Sequence, residues 1–122
     1  MSKRFLLVED TADNRELVSD LLASTGGYDL IEALDGQSGV AMALEYKPDL
    51  ILMDIQLPVM DGYEASRRIK AIPELRATPI IAVTSYALSG DEAKAREAGC
   101  DGYIAKPFSP RELLAKIAEF IG

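Results

Sequence analysis

Three short runs of consecutive apolar residues stand out along the chain, at 5–8, 50–53 and 80–83, and segments with helical spacing of apolar positions separate them. A strand that is buried on both faces is apolar at every position, whereas a strand with one exposed face alternates. Two weaker runs, at 28–32 and 102–105, are more polar and suit the edges of a sheet. The pattern predicts an α/β fold, in which a parallel sheet is covered by helices on both faces.

The segments between the runs carry the end signals of helices. In the last segment Ser109 can cap the helix, Pro110 suits its first position and Glu112 its third. The predicted second and third helices, at 36–45 and 62–71, each end shortly before a proline, which cannot continue a helix. The side chains expected to face the sheet are Leu17, Val18, Leu21 and Leu22 in the first helix, Val40 and Leu44 in the second, Ala65 and Ile69 in the third, and Leu113, Leu114, Ile117 and Ile121 in the last.

The first and fourth helices differ in how firmly they should pack. Asp13 and Glu16 have the spacing of a capping box for the first helix, and the glycines at 26–27 can end it. Ser89 and Glu92 can start the fourth helix, but its only apolar residues are alanines. Because alanine buries little area, this helix should be weakly held. It is either a short surface helix or an element that can shift.

The charge balance and the missing residue types exclude several functions. The 122 residues contain 13 basic and 20 acidic side chains, a net charge of −7, and no histidine. Without imidazole, the chain alone cannot build a Ser-His-Asp or Cys-His nucleophile, a His-Glu-x-x-His zinc site or a phosphohistidine. No basic run is available to hold nucleic acid or an anionic membrane. The expected partners are proteins and cations.

A single cysteine, Cys100, excludes an intramolecular disulfide, a paired-cysteine redox site and a thiolate zinc cluster. We expect it to be a small core residue in a reducing compartment. The stretch before the first acidic residues is too short for a signal peptide, and no run approaches the length of a transmembrane helix. The sequence therefore predicts one cytoplasmic domain, spanning residues 1–122, that does not enter a membrane.

Polar side chains follow four of the apolar runs. Glu9 and Asp10 follow the run at 5–8, Asp54 that at 50–53, Thr84 that at 80–83 and Lys106 that at 102–105. The carboxyl ends of parallel strands share one edge of the sheet, and ligands of open α/β folds bind there. We therefore expect these five side chains to converge into one site.

The chemistry of the expected site points to a metal ion and a phosphoryl group. Three adjacent carboxylates repel each other unless a cation lies among them. Oxygen ligands without histidine or cysteine, in an incomplete shell, suit Mg²⁺ better than Ca²⁺ or Zn²⁺, so Mg²⁺ is the expected cofactor. A carboxylate beside an amine and a hydroxyl can attack phosphorus, and Asp54 is the best candidate because it ends the presumed central strand. The chain has neither GxxxxGK[ST] nor GxGxxG, so the phosphoryl donor must come from elsewhere.

Four motifs surround these positions: Glu9-Asp10, then Leu-Ile-Leu-Met-Asp54-Ile-Gln-Leu-Pro-Val-Met-Asp-Gly62, then Val-Thr84-Ser85, then Gly-Tyr103-Ile-Ala-Lys106-Pro107. Together they resemble the receiver domain of two-component response regulators, and the resemblance covers essentially the whole chain. It implies a flavodoxin-like, doubly wound fold with a five-stranded parallel sheet of order 2-1-3-4-5 flanked by five helices.

The resemblance also implies a role for each site residue. It implies that Asp54 is the phosphoacceptor and that the Mg²⁺ site consists of Glu9, Asp10, Asp54 and the backbone carbonyl of Gln56, with Asp10 and Asp54 as direct ligands. Thr84 and Lys106 would bind the phosphoryl group, and Thr84 and Tyr103 would form the switch. Pro107 would follow a cis peptide bond. Ser85 is expected to help line the pocket. Without the resemblance, Tyr103 would be interpreted as an edge-strand aromatic resting on the surface. The fourth helix, the last strand and the last helix would form the output surface.

The partners that the resemblance implies are a sensor histidine kinase or histidine phosphotransferase as donor and a downstream protein effector. The chain would catalyse only its own phosphorylation and dephosphorylation, so we do not expect an enzyme. Because it begins at Met1 and ends at Gly122, soon after the last helix, it resembles stand-alone regulators of the chemotaxis and cell-division (DivK-like) type, and we expect a monomer. Some stretches also resemble receivers fused to hybrid histidine kinases, so an excised fragment is an alternative.

Other classes of protein fit the residues less well. An aspartyl-phosphate enzyme of the haloacid dehalogenase type would carry a second aspartate where this chain has Gln56. A flavodoxin-like electron carrier would need a phosphate-binding loop after the first strand. This chain has Glu9 and Asp10 there, and these acids would repel phosphate. A non-phosphorylated scaffold is the remaining alternative, although the five site groups argue against it. By chain position, Arg15 and Phe108 are candidates for a surface that docks the phosphodonor.

Overall fold

The computed structural model describes residues 3–26, 28–84 and 91–121. The elements within these ranges are, in chain order, β1 (Lys3–Val8), α1 (Ala12–Thr25), β2 (Tyr28–Ala33), α2 (Gly36–Tyr46), β3 (Leu50–Asp54), α3 (Gly62–Ala71), a 3-10 turn (Pro73–Leu75), β4 (Ile80–Thr84), α4 (Asp91–Glu97), β5 (Gly102–Ala105) and α5 (Pro110–Ile121). The predicted alternation of strands and helices is confirmed.

The strands form one parallel sheet in the order β2-β1-β3-β4-β5. The two core clusters lie on its opposite faces because successive strand side chains point to opposite sides. Leu6 of β1 packs in one cluster with Ile69 of α3, whereas Phe5 packs in the other with Val18 of α1 and Leu113 of α5. The doubly wound parallel fold and its strand order are therefore confirmed.

The helix signals predicted at α3 and α5 are also confirmed. Ser109 Oγ accepts a hydrogen bond from the Glu112 N–H at 3.1 Å, and Glu112 Oε1 accepts from the Ser109 N–H at 3.2 Å. Leu113 is buried against the sheet, as are Ala65 and Ile69 of α3. Capping residues and apolar spacing thus locate both helices correctly.

The capping box predicted for the first helix is wrong. The N-cap is Thr11, and its side chain makes no capping hydrogen bond. Asp13 and Glu16 lie inside α1, two and five residues beyond that cap. The helix ends at Gly26, which has a φ of +71°, a value that suits glycine. Gly27, the other predicted end residue, lies outside the described residues.

Two of the expected inward side chains point outward. Leu17 of α1 is 57% exposed and Leu44 of α2 is 44% exposed. The face that α2 buries consists instead of the small residues Gly36, Gly39 and Ala43. A Cβ at Gly39 would lie 2.9 Å from Val8 Cγ2, so α2 approaches β1 too closely for a larger side chain. The apolar pattern was therefore right for Val40, which packs against the core, and wrong for Leu44.

The fourth helix is attached to the fold mainly through alanines. Ala95 and Ala98 are 1% and 2% exposed, whereas Ser89, the predicted first residue, lies outside the described residues. We expect the backbone amides of α4 to exchange with deuterium faster than those of α5, because α5 buries the larger Leu113 and Ile117. Native-state hydrogen exchange followed by NMR measures both helices in one sample. Equal protection of the two would contradict a loosely held α4.

Candidate functional site

The five polar residues predicted to form a site lie together at the carboxyl edge of the sheet. Glu9 and Asp10 directly follow β1, Asp54 and Thr84 are the last residues of β3 and β4, and Lys106 directly follows β5. The parallel register sets these ends side by side, with Asp54 opposite Val83 and Thr84 opposite Ala105. The edge formed by β1, β3, β4 and β5 therefore carries all five groups.

Three carboxylates form an acidic cluster at this edge. One oxygen each from Glu9, Asp10 and Asp54 lies within 4.8 Å of the others. Glu9 and Asp54 are buried, at 3% and 4% exposure, while Asp10 is exposed. The cluster thus has a closed inner side and one open side.

Lys106 supplies the ammonium that partly balances the buried acids. Its Nζ lies 2.8 Å from Glu9 Oε1 and 3.8 Å from Asp54 Oδ2. Glu9 Oε2 in turn accepts a hydrogen bond from the Thr11 N–H at 3.1 Å. The ammonium is therefore shared unequally, and Glu9 holds the shorter contact.

The two buried carboxyl groups have opposite pKa shifts. Burial raises the pKa of Asp54 to about 7, and the neighbouring Glu9 charge adds to the rise while Lys106 opposes it. Burial also acts to raise the pKa of Glu9, but hydrogen bonds from Lys106 and from the Thr11 N–H outweigh it, so the pKa of Glu9 is lowered. Without a further cation, the pair therefore carries less than its full negative charge near neutral pH.

The donor set of the cluster fits a hard divalent cation. All three acidic groups offer oxygen, and the described residues contain no histidine that could compete. The Lys106 ammonium does not hold the pKa of Asp54 at its ordinary value, so the site is short of positive charge when it is fully deprotonated. The exposed Asp10 leaves the cluster open on one side, where water and phosphate oxygens could complete a Mg²⁺ shell.

Gln56 contacts two of the site residues at once. Its backbone N–H donates to Asp54 Oδ1 at 3.1 Å, and its side-chain Nε2 donates to Thr84 Oγ1 at 2.8 Å. Thr84 is 1% exposed, so this hydrogen bond lies inside the protein. The sequence did not predict this contact between the Gln56 amide and Thr84.

The other predicted residues lie around the same edge. Tyr103 is half-buried on β5 and packs against the apolar cluster that contains Ala95 of α4, so it does not simply rest on the surface. The Lys106–Pro107 peptide bond is cis. Ser85 lies outside the described residues.

A cavity of about 340 Å³ adjoins the acidic cluster between α1 and α5. Asp54 and Lys106 line one end of it, and Leu17 and Phe108 are among its apolar walls. Leu17, which is exposed on α1, thus lies on the wall of this cavity. Phe108 therefore lies beside the site, as chain position suggested.

Sequence reasoning did not find the residues that hold the chain between β1 and α1. Arg15 Nη1 donates to the backbone carbonyl of Glu9 at 3.0 Å, and its Nε lies 3.5 Å from Glu32 Oε2. The guanidinium therefore faces into the fold rather than presenting a free docking group. Its nearness in the chain to Glu9 was the sole signal in the sequence.

Among the described residues, no helix combines the length and the apolar composition needed to cross a membrane.

Comparison with known proteins gives consistent results. The sequence profile of the family described as response regulator receiver domain matches residues 5–118. The chain is 42% identical over 122 residues to the polar-differentiation response regulator DivK of Brucella anthropi, which covers 100% of this chain and 98% of that protein.

Two solved structures are closely similar. The receiver domain of the sensor histidine kinase PA1611 from Pseudomonas aeruginosa PAO1, solved with a magnesium ion coordinated in its active-site cleft, has a TM-score of 0.92 and 41% identity. The match covers 100% of this chain and 99% of that one. The chemotaxis protein CheY4 of Vibrio cholerae has a TM-score of 0.93 and 28% identity, over 99% of this chain and 100% of that one.

Proposed function

Because the chain belongs to the response regulator receiver domain family, we propose that it is a phosphorelay response regulator that takes a phosphoryl group on Asp54. The observation that carries this proposal is the surroundings of that carboxylate. Asp54 is 4% exposed, ends β3 and has the Lys106 ammonium 3.8 Å from its Oδ2. A buried carboxylate with incomplete charge compensation adds little stability, so this arrangement suits a nucleophile better than a structural ion pair.

The donor is a phosphohistidine of a sensor histidine kinase or a histidine phosphotransferase. A carboxylate oxygen of Asp54 bonds to phosphorus, and the P–N bond of the phosphohistidine breaks. The imidazole nitrogen keeps that electron pair and takes a proton from solvent, and the product on this chain is an acyl phosphate. The partner thus supplies the histidine that this chain lacks.

The chain's own groups offset the charge on the transferring phosphoryl oxygens. The Lys106 ammonium would contact them from its position beside Glu9, and the Thr84 hydroxyl would donate to one of them while it accepts from Gln56. Mg²⁺ would be held by the carboxylates of Asp10 and Asp54 and the backbone carbonyl of Gln56, with Glu9 as the supporting acid. When bound, the ion supplies positive charge at the phosphoryl oxygens.

Thr84 and Tyr103 act as the switch, and α4, β5 and α5 form the output surface that a downstream protein effector reads. Two observations support this assignment. Tyr103 stands opposite Ala82 on the strand that ends in Thr84, and it packs in the same cluster as Ala95 of α4. α4 itself is attached through small side chains, so a change at Thr84 has a loosely held element next to it to move.

The second candidate is that this chain is the receiver domain of a hybrid histidine kinase rather than a single-domain regulator. The 41% identity to the receiver domain of the sensor kinase PA1611 favours it. The 42% identity to DivK, over nearly all of that protein, favours a single-domain regulator equally well. Both use the same acceptor chemistry, so one experiment tests that chemistry for both.

Phosphorylation of the isolated protein is the direct test. We expect the intact mass to increase by one phosphoryl group after incubation with Mg²⁺ and acetyl phosphate or phosphoramidate. EDTA should prevent the gain, because the acidic cluster then lacks the cation that offsets phosphoryl charge. Asp54→Asn should abolish it, because the amide cannot form the acyl phosphate. Intact-protein mass spectrometry measures all three samples.

Asp61→Asn is a matched control on the same loop. Asp61 is exposed and caps α3 by accepting from the Glu64 N–H at 2.9 Å, a role that asparagine can also fill. This variant should take up a phosphoryl group like the wild type. Absence of any mass change in the wild-type protein would contradict the proposal and favour a non-phosphorylated scaffold.

A further inference from the structure

Glu9 is held through each of its polar atoms. Its N–H donates to the Ala33 carbonyl at 3.0 Å, and its carbonyl accepts from Arg15 Nη1 at 3.0 Å. Its carboxylate oxygens accept from Lys106 Nζ at 2.8 Å and from the Thr11 N–H at 3.1 Å. Glu9 is therefore fixed by contacts with four other residues, and one of these, the hydrogen bond from Arg15, holds the peptide group that follows Glu9.

Asp10 is not held in this way. It is exposed, and within the described residues its carboxylate makes no hydrogen bond or ion pair. Its side chain is therefore positioned by the backbone alone. The carbonyl that Arg15 binds belongs to the peptide group joining Glu9 to Asp10, so this hydrogen bond sets the direction in which the Asp10 side chain leaves the backbone.

Arg15 is well suited to hold that peptide group. It lies near the start of α1, and its side chain is 18% exposed. Its Nε lies 3.5 Å from Oε2 of Glu32, which is near the end of β2. One planar guanidinium therefore contacts a carbonyl and a carboxylate through separate N–H groups. The compact ammonium of a lysine does not reproduce this two-way geometry.

We propose that Arg15 is a positioning residue that sets the affinity of the site for Mg²⁺ by fixing the orientation of Asp10. This inference rests on the proposed function, because it concerns the metal that the function requires. Arg15 acts through the Glu9 carbonyl and touches neither the metal nor the phosphoryl group.

The charge of Arg15 and its positioning role predict opposite changes in Mg²⁺ affinity when Arg15 is replaced. A positive guanidinium close to the acidic cluster repels Mg²⁺, so its removal would tighten metal binding if charge were its only effect. Loss of an outer partner that orients a metal ligand typically weakens metal affinity by about 10–100-fold. The direction of the change in Mg²⁺ affinity therefore separates the two effects.

Calorimetric titration of Mg²⁺ alone into the metal-free protein measures that affinity. We expect Arg15→Gln and Arg15→Lys both to raise the dissociation constant about tenfold, because each loses the two-way contact. At saturating Mg²⁺, the rate of phosphorylation by acetyl phosphate should return close to that of the wild type, because the reacting groups are intact. Arg68→Gln is the charge-matched control, since Arg68 is 57% exposed and pairs with Glu64 on the surface of α3.

Each result of the Mg²⁺ titrations either supports or overturns the positioning role of Arg15. Arg15→Gln with an unchanged or tighter Mg²⁺ affinity would overturn the inference, and so would Arg15→Lys with wild-type affinity. If Arg15→Gln does not fold, Arg15→Lys alone gives the answer, because it keeps the charge beside Glu32. Failure of the wild-type protein to bind Mg²⁺ would overturn the proposed function and this inference with it, whereas normal wild-type binding with unaffected variants overturns the inference alone.

Discussion

Replacing Asp54 by Asn is expected to stabilise the metal-free protein at about pH 8. Burial raises the pKa of this carboxyl group from its ordinary value of 3.8 to about 7 in the native state. Between these pH values the native state binds more protons than the unfolded chain, so the free energy of unfolding falls as pH rises. One pKa unit corresponds to about 1.4 kcal/mol, so Asp54→Asn should gain on the order of 2–4 kcal/mol above pH 7. The gain should disappear below about pH 4, where both states are protonated.

Urea denaturation in EDTA from pH 4 to pH 8, followed by circular dichroism, measures this difference. The lowered pKa of Glu9 acts in the opposite direction and at lower pH, because its stabilising effect is lost only as pH falls below the ordinary Glu value of 4.5. The free energy of unfolding of Asp61→Asn should change with pH in parallel with that of the wild type across this range. Added Mg²⁺ should stabilise the wild type more than Asp54→Asn. Binding to the native state adds stability, and the variant lacks one of the proposed carboxylate ligands. Identical pH profiles for Asp54→Asn and the wild type would contradict the raised pKa.

Replacing Lys106 by Met is expected to destabilise the metal-free protein at pH 7 by about 3 kcal/mol, because a buried charge is left without its partner. The Glu9 side chain is 4% exposed and loses an ammonium at 2.8 Å. Asp54 loses the same cation at 3.8 Å. The same substitution should abolish most phosphoryl uptake, because the ammonium no longer offsets phosphoryl charge.

Lys116→Met is the matched control for this loss. Lys116 is 31% exposed and pairs with Glu119 on α5 at 3.2 Å, and such surface pairs contribute about 0–1 kcal/mol. Adding Asp54→Asn to Lys106→Met should recover part of the lost stability, because it removes one of the uncompensated charges. Simple additivity of the two substitutions in urea denaturation would argue against a shared charge cluster.

The fold was predictable to the extent that it depends on burial along the chain. Strands buried on both faces are apolar at every position, and this marked β3 and β4 in the sequence almost to their ends. The face that a helix turns inward was less predictable. Leu44 looked like a core residue, but α2 lies so close to β1 that Gly39 meets Val8 there and Leu44 points to solvent. Hydrophobicity does not report how closely two backbones approach.

The site was predictable where it follows from topology, because strand ends at one edge of a parallel sheet must meet. This rule brought together Glu9, Asp54 and Lys106. Contacts that depend on side-chain rotamers had no such signal. The amide of Gln56 reaches Thr84 across the end of the sheet, and Arg15 donates to the backbone carbonyl of Glu9 while it pairs with Glu32. Neither contact leaves a spacing or a composition that a sequence pattern can detect.

The ion pair between Lys106 and Glu9 joins residues 97 positions apart in the chain. Contacts of such separation slow folding, because the entropy of closing a long loop is lost before the contact can repay it. During synthesis Asp54 and its acidic neighbours leave the ribosome well before the lysine that balances them. An unfinished or partly unfolded chain therefore has the acids without the ammonium, and the charge of the acidic cluster is offset only when the sheet is complete.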